Sequence, residues 1–258
     1  MKNRYSTIIS ALALTFIFIH SGSVAQTFIG LKAGANASKA VFDNEVFEKF
    51  HSTKIKPGFT VGAVFLLENK ERYGLYAEFL YSQKGKRVES TANEYESNTA
   101  TYNYFDLPVL FRIKFKQEKF DWYLQLGPQL SYWLSGKGTF DVYQPDRDIV
   151  ISYDYKVNFG EPINTFEYLN APEANRTQVS LALGGGAIWN MKNANYLVLD
   201  MRLSFGHTYM GEYNSAYIPN IGLTDNLEYT NRVLSVSAIY YFDVLEKFRL
   251  SKNKYRKR

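Results

Sequence analysis

The side chains best equipped for chemistry are ionisable groups that recur at even spacings. Asp106, Arg112 and Lys114 share one face of an alternating segment, Asp200 and Arg202 share one face of another, and Glu78 stands on a third. Carboxylates and cations gathered out of water are able to exchange protons, so the set has the makings of an acid/base constellation. It also has the makings of a salt-bridge plug, in which buried charges satisfy one another. The plug is the expected role, because the other ingredients of a catalytic centre are missing. There is no cysteine, which excludes a disulfide scaffold, a thiolate metal site and a thiol nucleophile. Of the three histidines, His20 falls in an apolar leader, His51 in a connecting segment and His207 at the end of an alternating run beside Thr208 and Tyr209. No Gly-x-Ser-x-Gly elbow and no zinc, calcium or phosphate-loop spacing accompanies them. Gly184-Gly185-Gly186-Ala187 lies inside an alternating run, where close packing explains it better than phosphate binding. No enzyme activity, cofactor or metal is expected.

The elements that position these groups are strands. Period-two alternation predicts strands at 28–37, 57–68, 73–83, 102–115, 120–134, 177–189, 196–208 and 231–242. The connections between them run long, short, long, short, long, short, long: 38–56, 69–72, 84–101, 116–119, 135–176, 190–195 and 209–230. That pattern is the signature of an outer-membrane barrel with short turns on the periplasmic side and long loops outside. The fold class is therefore all-β, an eight-stranded antiparallel up-and-down transmembrane β-barrel with long outer loops. Phe105, Leu107, Val109, Phe111 and Ile113 form one face of the fourth segment; Leu197, Leu199, Met201, Leu203 and Phe205 form one face of the seventh. A soluble lipocalin-like barrel would turn such faces inward. Here charges of both signs and Gly127, Gly184 and Gly186 share the opposite faces, which suits a narrow polar lumen filled by side chains. Trp122, Tyr132 and Trp189 near strand ends suit interfacial belts.

The flanks complete the domain plan. Residues 1–25 read as a cleaved signal peptide, with Lys2 and Arg4 ahead of an apolar stretch of about a dozen residues and Ser23-Val24-Ala25 before the cut. Residues 26–242 are the barrel and 243–258 a basic periplasmic tail, so both mature termini are expected in the periplasm. The net charge of +5 belongs to the ends, since the leader carries +2 and the tail +5, leaving −2 on the barrel. A nucleic-acid surface is excluded on that ground, and the expected surroundings are outer-membrane lipid. The candidate partner surface has two parts. One is Tyr143, Tyr153, Tyr155 and Tyr168 in the longest loop, where Tyr153 and Tyr155 flank Asp154 as in a hairpin; the other is Lys252, Lys254, Arg256, Lys257 and Arg258 in the tail.

Several strand texts carry a family likeness. Phe28-Ile29-Gly30-Leu31-Lys32-Ala33-Gly34-Ala35-Asn36 resembles the opening G-x-K-x-G-x-N strand of the PorT-family outer-membrane β-barrel domain. Glu78 to Gly85, Phe105 to Leu110, Gln125 to Pro128 and Asn231 to Ser237 resemble later elements of that family, in the expected order. The resemblance implies an eight-stranded outer-membrane barrel without a catalytic motif. It also implies a role like that of the founding member in protein export by the type IX secretion system and, in relatives, in gliding motility, with secretion-machine proteins as the partners. The residues leave open a stand-alone envelope or adhesion barrel, a lipid-modifying hydrolase acting through His207, and a small porin, which the charged lumen opposes.

Overall fold

The computed structural model describes residues 26–69, 72–91, 96–191 and 195–243. The leader 1–25 and the tail cations Lys252, Lys254, Arg256, Lys257 and Arg258 lie outside the described residues. The elements are β1 (Gln26–Phe42), α1 (Glu45–Phe50), β2 (His51–Lys54), β3 (Lys56–Glu68), β4 (Tyr73–Ser90), β5 (Ser97–Phe115), β6 (Asp121–Gln144) and β7 (Ile149–Asn158). They continue with β8 (Tyr168–Asn170), β9 (Thr177–Asn190), β10 (Tyr196–Gly206), β11 (Ala216–Ile218), β12 (Leu223–Asp225) and β13 (Tyr229–Asp243). Among the described residues, thirteen strands thus replace the eight expected. Five of them, β2, β7, β8, β11 and β12, lie within the segments expected to be long loops.

The other eight close on themselves. Antiparallel pairings run β1–β3–β4–β5–β6–β9–β10–β13 and back to β1, so no member of this circuit has an open edge along its paired length. The registers fix its geometry. From Ala33 one direction leads through Val61, Tyr81 and Phe105 to Tyr132. The other leads through Ala238, Leu199 and Ala187 to Trp122, a stagger of ten residues on β6. With a rise of about 3.4 Å per residue and strands about 4.8 Å apart, that stagger tilts the strands by about 40°. Trp122 and Tyr132 are then separated by about 25 Å along the barrel axis, the height of the apolar band on an outer-membrane barrel.

Within that band the barrel is inside out. Met201 is 54 % exposed, while its neighbours Asp200 and Arg202 are 0 % and 3 % exposed. Leu31, Phe79, Leu107, Phe111, Leu126, Leu183 and Leu199 likewise point outward. Rings gather at both margins. Phe115 stacks on Trp122 with centroids 4.0 Å apart at the short-turn end, and Phe79 and Phe105 approach to 5.1 Å towards the other end.

Above the band the sense reverses. β4, β5 and β6 extend well past their predicted ends at 83, 102 and 134, and their upper parts bury apolar groups inside. Phe42, Val88, Ala100, Tyr102, Trp133, Phe140, Tyr155, Leu169, Met210, Ile218, Leu227 and Tyr229 form one buried cluster. The hairpin β6–β7 pairs Lys137 with Lys156 through Gln144 with Ile149, as the Tyr153–Asp154–Tyr155 alternation suggests. β8 then pairs parallel to β7, a departure from a purely antiparallel sheet, and antiparallel to β11, which pairs with β12. A register shift at Asn103/Tyr104 sets Leu134 outside the ladder, so Trp133, Gly136 and Phe140 all face inward.

Candidate functional site

The lumen is built in layers. Near the short turns, Arg112 is 1 % exposed and its guanidinium lies 4.2 Å from the Tyr76 ring centre and 3.9 Å from that of Tyr123. It donates to Gln125 Oε1 from Nη2 at 2.8 Å and from Nε at 3.2 Å, and reaches the Tyr241 hydroxyl at 3.4 Å. Phenolic rings and an amide, rather than a carboxylate, hold this cation, which fits the flat and weakly hydrated guanidinium.

The central layer is a balanced cluster of two cations and two anions. Lys32 Nζ stands 2.8 Å from both Glu78 Oε1 and Asp200 Oδ2. Arg202 grips Glu78 with two nitrogens, at 2.5 and 2.8 Å. Tyr76 donates to Glu78, while Tyr123 and Gln125 donate to Asp200 at 2.5 and 2.8 Å. One layer higher, Lys84 pairs with Asp106 at 2.7 Å, and Ser131 donates to the same carboxylate at 2.6 Å. Two cavities of about 20 Å³ adjoin these layers, each with room for about one water.

The upper mouth is closed by the apolar cluster and one more buried ion pair. Lys86 on β4 meets Asp225 on β12 at 2.5 Å, with Asn98 donating to the same carboxylate at 3.0 Å and Tyr155 donating to Asn98 at 2.8 Å. The Tyr229 ring lies 4.8 Å from the Lys86 nitrogen. This pair ties the inward-folded β11–β12 segment to the wall.

The six charges singled out in the sequence therefore divide. Glu78, Asp200 and Arg202 meet in one cluster, Asp106 belongs to the layer above and Arg112 to the layer below. Lys114 is elsewhere, paired with Glu68 at 2.8 Å near the short-turn end. The cations that complete the layers, Lys32, Lys84 and Lys86, are not among the six. Lys32 has the inward parity of Gly30 and Asn36, so alternation marks it. Lys84 and Lys86 continue the parity of Glu78 and Ser82 but lie beyond the predicted end of that strand.

The tyrosine surface needs a correction. Tyr155 is 2 % exposed and belongs to the buried cluster of the mouth, so it is closed to a partner. Tyr153 is half-buried against that cluster. Tyr143 and Tyr168 are half-buried as well, and the Tyr143 hydroxyl donates to Asp148 at 2.7 Å. The exposed large apolar groups of this region are Ile149 and Val150 at the hairpin tip and Ile163 and Phe166 in the following turn. Among the described residues no group of three or more His, Cys, Asp or Glu is arranged to hold a metal ion, and no helix is long and apolar enough to cross a membrane. His207 is exposed on the outward face, away from the lumen.

A closed, staggered, inside-out circuit of strands around a charged lumen defines an outer-membrane β-barrel. The chain belongs to the outer membrane protein beta-barrel domain family, which matches residues 24–208. No curated protein matches the sequence. Among solved structures, the attachment invasion locus protein Ail of Yersinia pestis is 15 % identical, with 84 % of this chain and 99 % of that chain covered and a TM-score of 0.37. OprG from Pseudomonas aeruginosa is 11 % identical, covering 86 % of this chain and 99 % of that one at a TM-score of 0.44. The outer membrane protease OmpT from Escherichia coli is 11 % identical, covering 85 % and 97 % at 0.38.

Proposed function

We propose that the eight strands of the closed circuit are the membrane crossings, that the short turns and both mature termini face the periplasm, and that the barrel is a non-enzymatic accessory to an envelope export machine of the type IX kind. The observation that carries this reading is the closed lumen. The Arg112 layer, two layers of paired charge above it and an apolar mouth occupy the interior, which leaves the outer surfaces to act. The strand motifs that resemble the PorT family point the accessory role towards type IX secretion and gliding. The exposed Ile149 and Val150 on a hairpin that stands clear of the apolar band favour a second reading, a stand-alone adhesion barrel.

One experiment separates the two: the secreted proteome of a deletion strain against wild type and a complemented strain. Accumulation of type IX cargo in the periplasm, reversed by complementation, supports the accessory role. Normal export of that cargo removes it and leaves the stand-alone barrel.

A further inference from the structure

We propose that Lys39, Arg232 and His207 form a binding patch for the phosphate of an outer-leaflet lipid headgroup. The inference rests on the orientation proposed above, with the long connections outside.

Three adjacent strands supply the patch. Lys39 on β1 and Arg232 on β13 are directly opposite one another in the ladder, and both side chains are exposed on the outward face. Arg232 is in turn opposite Phe205 of β10, and His207 follows two residues later, exposed on the same face. Side chains directly opposite in a sheet stand close together, and like charges there repel. Such a pair costs the wall stability, and an anion that bridges it removes that cost. Among the described residues no carboxylate forms an ion pair with Lys39, Arg232 or His207. The nearby Asp43 is engaged by the Tyr209 hydroxyl at 2.6 Å.

Height selects the ligand. The registers from Ala33 end on Trp122 one way and on Tyr132 the other, so Ala33 is level with the middle of the apolar band. Lys39 is six residues further along β1. At a tilt of about 40° that places it about 16 Å above the middle, a few ångströms beyond the edge of an apolar band about 25 Å tall and level with the headgroups. Directly below, Phe205, Leu203 and Leu234 are exposed on the same wall. One amphiphile would lay its acyl chains against those groups and its phosphate between Lys39 and Arg232. A guanidinium and an ammonium side by side match the charge and the several acceptor oxygens of a phosphate.

The test uses the full mature chain in phosphatidylcholine nanodiscs, with and without bisphosphorylated lipid A, phosphate-free lipid A or millimolar inorganic pyrophosphate. Native mass spectrometry counts retained lipid and a thermal ramp reads the midpoint, for wild type and for Lys39→Gln combined with Arg232→Gln. Wild type should retain the bisphosphorylated lipid and melt higher with it, and the double variant should retain about tenfold less. In phosphatidylcholine alone the double variant should melt no lower than wild type, because a repulsive pair has been removed. Equal retention by the two proteins, or equal retention of the phosphate-free lipid, overturns the proposal. A midpoint shift of the same size with pyrophosphate alone overturns the lipid as the source of the phosphate. Protease digestion of the same chain in intact cells keeps the two failures apart: cleavage confined to the short turns would sink the orientation, whereas cleavage in the long connections with no lipid preference sinks only the patch.

Discussion

At the scale of single residues, the lumen shows which buried charges matter. Lys32 neutralises both Glu78 and Asp200 and is itself 1 % exposed. Lys32→Met leaves two carboxylates facing one another with Arg202 as the one counter-charge within hydrogen-bond reach among the described residues, beside the neutral donors Tyr76, Tyr123 and Gln125. Breaking a buried pair of this kind costs about 3–5 kcal/mol, so the urea midpoint of the protein in lipid vesicles should fall sharply. Lys114 provides the contrast, since its side chain is 17 % exposed beside Glu68. Glu68 is itself only 6 % exposed, so Lys114→Met strands one carboxylate at the barrel margin rather than two at its centre and should lower the midpoint by clearly less than Lys32→Met; equal losses for the two variants would refute the layered picture. Glu78, Asp200 and Arg202 are legible in the sequence because a charge set mid-strand opposite an apolar face must find its partner inside the barrel. Their partner Lys32 is equally marked by parity. Gln125 is marked in the same way, on the face opposite Leu124 and Leu126, whereas Tyr76 and Tyr123, which also finish the hydrogen bonding, carry no such mark, because tyrosines are common on either face of a barrel.

At the scale of elements, alternation locates all eight circuit strands but loses the upper ends of several. For β6 the reason is physical and sits at one place. The shift beside Leu134 moves the inward set of β6 from odd to even numbers, so a reading carried past Trp133 at constant period would put Ser135 and Lys137 inside. The pattern therefore breaks off there, and residues 135–176 read as a loop. They include the upper part of β6 as well as β7 and β8. Glycine placement says more than close packing alone. Gly186 is opposite Tyr123 in the β6–β9 ladder, and a side chain built there would run into the Tyr123 ring and hydroxyl. That ring also carries Arg112 and donates to Asp200. Gly186→Val should therefore disturb two layers at once and cost about 1–3 kcal/mol, read as loss of the compact, heat-modifiable band on gels at a lower temperature. An unchanged transition would mean that the space beside Tyr123 absorbs the added methyls and that the glycine serves only strand closure.

At the scale of the whole molecule, one set of strands serves two solvents. Below the outer belt the walls are apolar outside and charged inside, and above it they are polar outside and apolar inside, as in a soluble protein. The crossover explains why the polar lumen and the aromatic belts are readable from composition and period, while the apolar mouth is not: the upper parts of the long strands are completed there by β8, β11 and β12, three-residue strands without a period of their own. It also puts two seals in series. The upper seal is the apolar cluster anchored by Lys86 and Asp225, and the lower is the cluster around Lys32 and Arg202. Refolded protein in planar bilayers should accordingly show no steady ion conductance. Lys86→Met releases the anchor of the upper seal and leaves the central charges in place, so that variant should stay silent too. Steady current through the wild-type barrel would remove the closed lumen on which the accessory role depends. Current through Lys86→Met alone would place the barrier entirely in the apolar mouth and reduce the paired charges below it to the lining of a passable polar channel.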